Sequence, residues 1–184
     1  MSNRILQMET ERLLLRLAEP TDLEAALAFR QRNKAFLKPW LPEQKEDAFS
    51  ESAMRDFLKD DYTEFVAGKS FRFFISLLQD PDTIIGDFRF SNIIRGPFQS
   101  CFLGYLQDES HCGKGYMQEA LAKGIWYMFA VEGLHRIEAN IMPRNAPSIR
   151  LVKRLGFHEE GLAKSYLKIN GVWEDHLHFA LLNE

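Results

Sequence analysis

The chain is short of several things, and each shortage narrows its function. It has two cysteines in 184 residues, Cys101 and Cys112. Neither has metal-ligand or disulfide spacing, which suits a reducing cytoplasm, and no metal site is expected. No apolar run approaches membrane-spanning length, and the opening MSNRILQMETE lacks the apolar core of a signal peptide. A soluble, cytoplasmic protein with no membrane partner is expected. The net charge is only −3 at pH 7, which argues against broad nucleic-acid binding or attachment to an acidic membrane surface. A nucleoside-triphosphate P-loop of the form Gly-x-x-x-x-Gly-Lys-[Ser/Thr] is missing. So is the third glycine of a dinucleotide fingerprint, where Gln118 stands. No repeat, low-complexity tract or linker interrupts the chain, so one domain over residues 1–184 is expected. A body of that size can bury a core without staples.

What is present is an ordinary globular composition, 46% apolar and 27% charged, and one stretch that organises the rest. From Gly104 the sequence is of strand type, passes a polar turn and reaches Gly113-Lys114-Gly115. From Tyr116 it takes a helical period, with Met117, Leu121, Gly124, Ile125, Met128 and Phe129 on one stripe. Glycines at such a junction let backbone N–H groups face a ligand, and the first helical turn leaves its N–H groups unpaired and partly positive. With Lys114 between them, they suit a phosphate or pyrophosphate. On its own the Gly-x-Gly junction serves equally well as a tight turn.

In chain order, Arg12 to Leu17 reads as a buried strand. Thr21 and Glu24 have capping-box spacing before an amphipathic helix with Leu23, Ala26, Leu27 and Arg30. Phe36 to Pro42 (FLKPWLP) carries two prolines against regular structure, and is either a clasp over the core or one wall of a substrate cleft. Ser50 to Leu58 is a second helix, with Ala53, Met54, Phe57 and Leu58 inward. Phe71–Leu78 is a strand, Gln79–Asp82 a turn and Thr83–Ile94 the second arm of a hairpin. Arg95–Pro97 turns the chain into a strand from Ser100 to Gln107. After the long helix come a strand from Arg136 to Met142, a loop, and a helix from Ser148 to Leu155 ended by Gly156. Phe157–Leu167 and Val172–Leu182 close the chain around an Asn170-Gly171 hairpin turn. An antiparallel sheet followed by strand–helix–strand units is an α+β arrangement.

The run Cys112-Gly-Lys-Gly-Tyr-Met117 resembles the acyl-CoA pyrophosphate loop of GNAT-fold N-acetyltransferases, [Gln/Arg]-x-x-Gly-x-[Gly/Ala]. Asn145-Ala-Pro-Ser148, followed by a short helix and Leu155-Gly-Phe157, resembles that family's second signature, and one helix and one strand separate the two. The segments ETERLLLR, FLKPWLP and EGLAKSYLKINGVWEDH extend the likeness over most of the chain, to the RimJ/RimL-type ribosomal-protein acetyltransferases. The resemblance implies a GNAT (acyl-CoA N-acyltransferase) fold, a mixed, mostly antiparallel sheet flanked by helices. It also implies acetyl-CoA as co-substrate, no metal, and direct attack of an amine on the thioester. Cofactor contacts would come from Leu106 and Gln107, from Cys112, Gly113, Lys114, Gly115, Tyr116 and Met117, and from Asn145 and Ser148. The acceptor implied is the N-terminal amine of a ribosomal protein, and the protein would act as a monomer or homodimer without touching nucleic acid directly.

Three departures from the family pattern bear on the chemistry. Cys112 replaces the loop's first Gln or Arg. Met117 replaces its last Gly or Ala. Val152 stands where many relatives carry the tyrosine that protonates the thiolate. Ser148, one turn earlier, becomes the candidate acid, with a helix N-cap as its structural use. For the base, Asn140 stands where several relatives carry glutamate, and Glu138 lies two residues earlier on the same strand face. Glu138 acts either through water on the amine or in a surface ion pair with Arg136 or Lys168. Asp175 and His176 are further candidates for the cleft. An N-terminal amine, with a pKa near ~8, needs less base than a lysine near ~10.4, which favours an N-terminal acceptor. The thiol of Cys112, at a helix N-terminus beside Lys114, is expected to be acidified and modifiable, or else to be small buried filler. An acetyltransferase for small amines and a non-catalytic acyl-CoA-binding module remain the alternatives. The acidic residues from Glu43 to Asp61 offer a surface for a basic partner.

Overall fold

The computed structural model describes residues 7–44 and 47–184. The opening, read above as lacking a signal peptide, falls largely outside that range, as does Glu46 of the acidic run. The strands are β1 (Gln7–Glu9), β2 (Leu13–Leu17), β3 (Phe71–Leu77), β4 (Asp80–Ile94), β5 (Ser100–Gln107), β6 (Arg136–Ile141), β7 (His158–Ile169) and β8 (Val172–Leu182). The helices are α1 (Leu23–Arg32), the single turn α2 (Lys34–Leu37), α3 (Glu51–Val66), α4 (Tyr116–Ala130) and α5 (Ala146–Arg154). The strands form one sheet in the order β1-β2-β3-β4-β5-β6-β8-β7. Every pairing is antiparallel except β5 with β6. This is the mixed, mostly antiparallel sheet expected. No helix among the described residues is long and apolar enough to cross a membrane.

Apolar residues on the two faces of the sheet make two cores. Phe71, Phe73, Phe88, Phe90, Ile137 and Phe179 meet Met117, Leu121, Ile125 and Met128 of α4 and Val152 of α5. On the other face Phe74 and Ile84 meet Ala26 and Phe29 of α1, Leu37 of α2, and Met54 and Leu58 of α3. Helix α4 lies directly on the sheet at Gly124, where a Cβ would stand 2.6 Å from Phe88 Cε2. The helical stripe read from the sequence is the buried face, except that Phe129 is only half-buried.

Five local readings change. A three-residue β1, too short to leave a pattern, adds an edge strand. The expected Thr21–Glu24 capping box is a Glu19–Asp22 box: Pro20 starts a 3-10 turn that runs straight into α1, since its fixed φ begins the helical geometry early. Helix α3 is capped by Ser50, which accepts from Ala53 N at 3.2 Å, and runs eight residues past Leu58. Its inner stripe continues through Asp61 and Phe65. Asp61 is polar, so it broke the apolar pattern, but it is buried against Arg72 at 3.0 Å and Arg89 at 3.0 Å. Asp80–Asp82 belong to β4 rather than to a turn. Phe36–Pro42 is not irregular throughout: α2 and a 3-10 turn (Lys38–Trp40) run through it.

Candidate active site

The parallel ladder between β5 and β6 has three rungs: Ser100–Arg136, Cys101–Ile137 and Phe102–Glu138. Beyond them Leu103–Gln107 pair only with β4, and Ala139–Ile141 only with β8. The strands part, and two edges with unpaired backbone groups face one another in the middle of the sheet. Buried backbone donors and acceptors require partners, and a parted edge is a template for an extended ligand. A Cβ added at Gly104 would meet nothing within 4 Å, so the face of β5 beside this edge is open. Leu106 and Gln107 lie at the far end of this edge, and Gln107 Nε2 donates to the His111 carbonyl at 3.0 Å.

There β5 hands the chain to the glycine loop. A 3-10 turn, Glu109–His111, leads to Gly113 (φ 77°) and to Gly115 (φ 81°), the N-cap of α4. Both are left-handed positions, where a Cβ is disfavoured, so glycine is what lets the chain turn its amides outward. A side chain at Gly113 would meet only open space. The first turn of α4 presents N–H groups at the positive end of a fifteen-residue helix. Lys114 is exposed, and Met117 buries its side chain in the core, leaving only its backbone amide for a ligand. That burial accounts for a large residue where the family pattern has a small one.

Both ends of the loop are tied to the N-terminal part of the chain. Before it, buried Asp108 accepts from Arg32 Nε and from Ser110 N (3.0 Å) and Oγ (2.9 Å), and Asn33 Oδ1 accepts from Glu109 N at 3.0 Å. Burial opposes the charge of Asp108, but the bonds from Arg32 and Ser110 outweigh it and hold its carboxyl below the usual carboxylate range. After the loop, Glu119 accepts from Thr10 Oγ1 (2.6 Å), Arg12 N (2.9 Å) and Arg12 Nε (2.7 Å). Its carboxyl is likewise lowered, burial being overcome by Thr10 and Arg12. Cys112 does not behave as expected. Partial burial first, then Asp108 and Glu109, push its thiol up, not down, and Sγ donates to the Asp108 carbonyl at 3.4 Å. Burial is the larger cause, and the two carboxylates add to it.

Across the gap, Asn145 rather than Ser148 is the N-cap of α5, its side chain accepting from Ser148 N at 3.3 Å. Ser148 is therefore the third helical residue, with its hydroxyl outside the cap. Tyr105 of β5 reaches the same place and donates to the Ser148 carbonyl at 3.4 Å. Burial pushes the Tyr105 phenol up to about 12, so it stays protonated. Val152 is fully buried in the core. Glu138 sits on the last rung before the strands part and accepts from Arg136 Nε at 2.8 Å. His176 is buried, its Nδ1 3.1 Å from the Glu174 carbonyl, and Asp175 pairs with Lys164 at 2.7 Å on the hairpin. Phe36–Pro42 is the clasp over the core, and its exposed side borders a surface cavity. Leu37 packs in the second core, while Lys38 and Pro39 line a cavity of about 240 Å³ with Arg144, Ile169 and Val172.

The parted strands, the open space at Gly104 and Gly113, and the left-handed loop fit an acyl-CoA, an extended amide chain carrying a diphosphate. Among the described residues no group of three His, Cys, Asp or Glu side chains could hold a metal ion. Sequence reasoning missed Tyr105, Arg12, Glu119 and Asp108. Tyr105 reads as an ordinary strand aromatic, and the other three act through partners about 75 to 110 residues away in the chain, a distance no local motif spans.

The model of the acetyltransferase (GNAT) domain matches residues 12–158. The chain is 41% identical over 177 residues to the ribosomal protein uS5-alanine N-acetyltransferase of Escherichia coli, covering 95% of this chain and 90% of that one. The crystal structure of the ribosomal-protein-S5-alanine acetyltransferase from Vibrio fischeri superposes with a TM-score of 0.91 at 34% identity, over 98% of both chains. Mycobacterium smegmatis RimJ in complex with CoA-disulfide gives a TM-score of 0.86 at 32% identity, over 92% of this chain and 81% of that one.

Proposed function

The chain belongs to the GNAT acetyltransferase family, and from that premise we propose that this N-acetyltransferase modifies the N-terminal α-amine of a ribosomal protein. The observation that carries the acceptor class is the near-full-length likeness to a ribosomal-protein alanine acetyltransferase. In this reading acetyl-CoA supplies the acetyl group as a thioester.

The residues divide the remaining work. Leu106 and Gln107 offer the backbone of the parted β5 edge to the pantetheine, as a neighbouring strand would. Amides from Gly113 to Met117, with Lys114, hold the diphosphate, and Cys112 contributes backbone only. Asn145 fixes the start of α5 and so places Ser148, whose hydroxyl relays a proton from solvent to the departing thiolate, taking one up as it gives one. Tyr105 holds the Ser148 backbone from the β5 side. Glu138, steadied by Arg136 at the point where the strands diverge, accepts the amine proton through water. An α-amine with a pKa near ~8 is partly neutral at physiological pH, so this indirect base suffices, whereas a lysine near ~10.4 would demand a stronger one.

The test is release of free CoA from acetyl-CoA with short peptides differing in their first residue, beside a set of free amines. Selective turnover on alanine-started peptides is the expected result. Turnover on free amines alone refutes the ribosomal reading in favour of small-molecule acetylation. Acetyl-CoA raising thermal stability without turnover, on peptides or on intact ribosomal proteins, would leave a binding module.

A further inference from the structure

We propose that Arg12 is a positioning residue for the diphosphate loop, setting the direction of the Gly115 amide and cancelling the charge of Glu119. This rests on the reading of the loop as the acetyl-CoA site. Arg12 lies at the foot of β2, about a hundred residues from the loop in sequence, yet its guanidinium makes three kinds of contact there. Nε and Nη2 each lie 2.7 Å from Glu119 Oε2, Nη1 donates to the Lys114 carbonyl at 3.0 Å, and the group stacks 4.6 Å from the centre of the Tyr116 ring.

The contact to Lys114 has a geometric consequence. A trans peptide is planar, with its C=O and N–H pointing in opposite directions. Holding the Lys114 carbonyl toward Arg12 therefore turns the Gly115 N–H away from it. Gly115 has the left-handed φ of 81° that leaves this peptide free to flip in an unanchored chain. Arg12 removes that freedom. The side chain also approaches Gly115 so closely that a Cβ there would be 3.4 Å from Nη2.

The second effect is electrostatic. Glu119 stands in the first turn of α4, where a carboxylate favours the helix but repels an anion bound at the same end. Thr10 and Arg12 take up that carboxylate on the side facing β2. Cys112 supplies no cation to the loop, so without Arg12 the carboxylate of Glu119 would stand there uncancelled. Arg12, Gly115 and Glu119, with Gln118 and Arg154, line an open cavity of about 580 Å³.

The test compares CoA with pantetheine, which lacks the diphosphate, by isothermal titration calorimetry, with pantetheine measured by competition. Arg12→Ala is expected to weaken CoA about tenfold, in the range seen when a ligand site loses a supporting partner, and to leave pantetheine unchanged. The double variant Arg12→Ala/Glu119→Gln should bind CoA better than Arg12→Ala, because the uncancelled carboxylate is gone. Arg12→Lys keeps charge and bulk but cannot bridge both acceptors, and is expected to fall between wild type and Arg12→Ala. A merely structural role would weaken both ligands alike. That result, or unchanged CoA binding in Arg12→Ala and Arg12→Lys, overturns the proposal. Wild-type protein that fails to bind CoA would overturn the functional reading itself.

Discussion

Replacing Gly124 by alanine sets two effects of opposite sign against each other. In a helix interior alanine is favoured over glycine by about 1 kcal/mol. Against that, the new methyl would lie 2.6 Å from Phe88 Cε2, 2.9 Å from Phe88 Cζ and 3.2 Å from Phe90 Cε2. Unstrained carbon pairs sit at roughly 3.5–4.0 Å, so helix or rings must move by about 1 Å. The rings have nowhere to go. Phe88 stacks on Phe73 with centroids 5.3 Å apart and meets Phe90 edge-on at 5.8 Å, and all three are fully buried. Overpacking of this kind costs about 2–3 kcal/mol, the upper part of the usual range, which leaves a net loss of about 1–2 kcal/mol. For a chain of this length that lowers Tm by about 3–6 °C. Scanning calorimetry of the variant measures it, and Phe88→Leu in the same background should return part of the loss through their coupling. A Tm equal to or above wild type would refute the claim that α4 is in hard contact with the sheet.

Ser148→Ala should lower kcat by about a hundredfold or more, as expected for a lost general acid, with CoA affinity unchanged by calorimetry; equal kcat removes Ser148 from the chemistry. Cys112, its thiol pushed up, should react with iodoacetamide at neutral pH more slowly than a thiol in an unstructured peptide, and a faster rate would restore the acidified reading. Cys101, pushed up to about 12 by burial, should stay unmodified until the protein unfolds. The folded carboxyl of Asp108 titrates below its unfolded value, so its contribution is complete above the unfolded pKa and is lost as pH falls through the folded one. Asp108→Asn should therefore lower Tm at pH 7, and the difference from wild type should shrink below about pH 4. A difference independent of pH would mean that the ion pair with Arg32 contributes nothing.

The repeating elements were legible because one rule governs each. Period two and continuous apolar runs marked β2 to β8, a 3.6 period marked α4, and Asn170-Gly171 marked the last hairpin, where both residues are left-handed as such a turn requires. The readings failed where a partner, distant or near, overrode what the residue's own type suggested. Asp61 read as part of an acidic run beyond a stripe that ended at Leu58, until Arg72 and Arg89 made it an inward residue. Ser148 looked like a cap until Asn145, three residues earlier, took that place. Cys112 looked acidified from its neighbours in sequence, but partial burial, with Asp108 and Glu109 adding to it, pushes the thiol the other way. Of the site, the two signatures could be read because each is local. The groups that hold them in place could not.

The anchoring of the glycine loop at both ends bears on how the molecule comes into being. Its shape is set by Thr10 and Arg12 on one side and by Arg32 and Asn33 on the other, so it depends on contacts of high sequence separation. A fragment beginning at Ser100 would carry both family signatures and still lack the groups that shape the first of them. During synthesis the early arms emerge and wait, and the loop takes its binding form only after α4 has followed and docked. The loop's binding form thus needs both arms, and two separately made halves of this protein would have to find each other before the loop could take it.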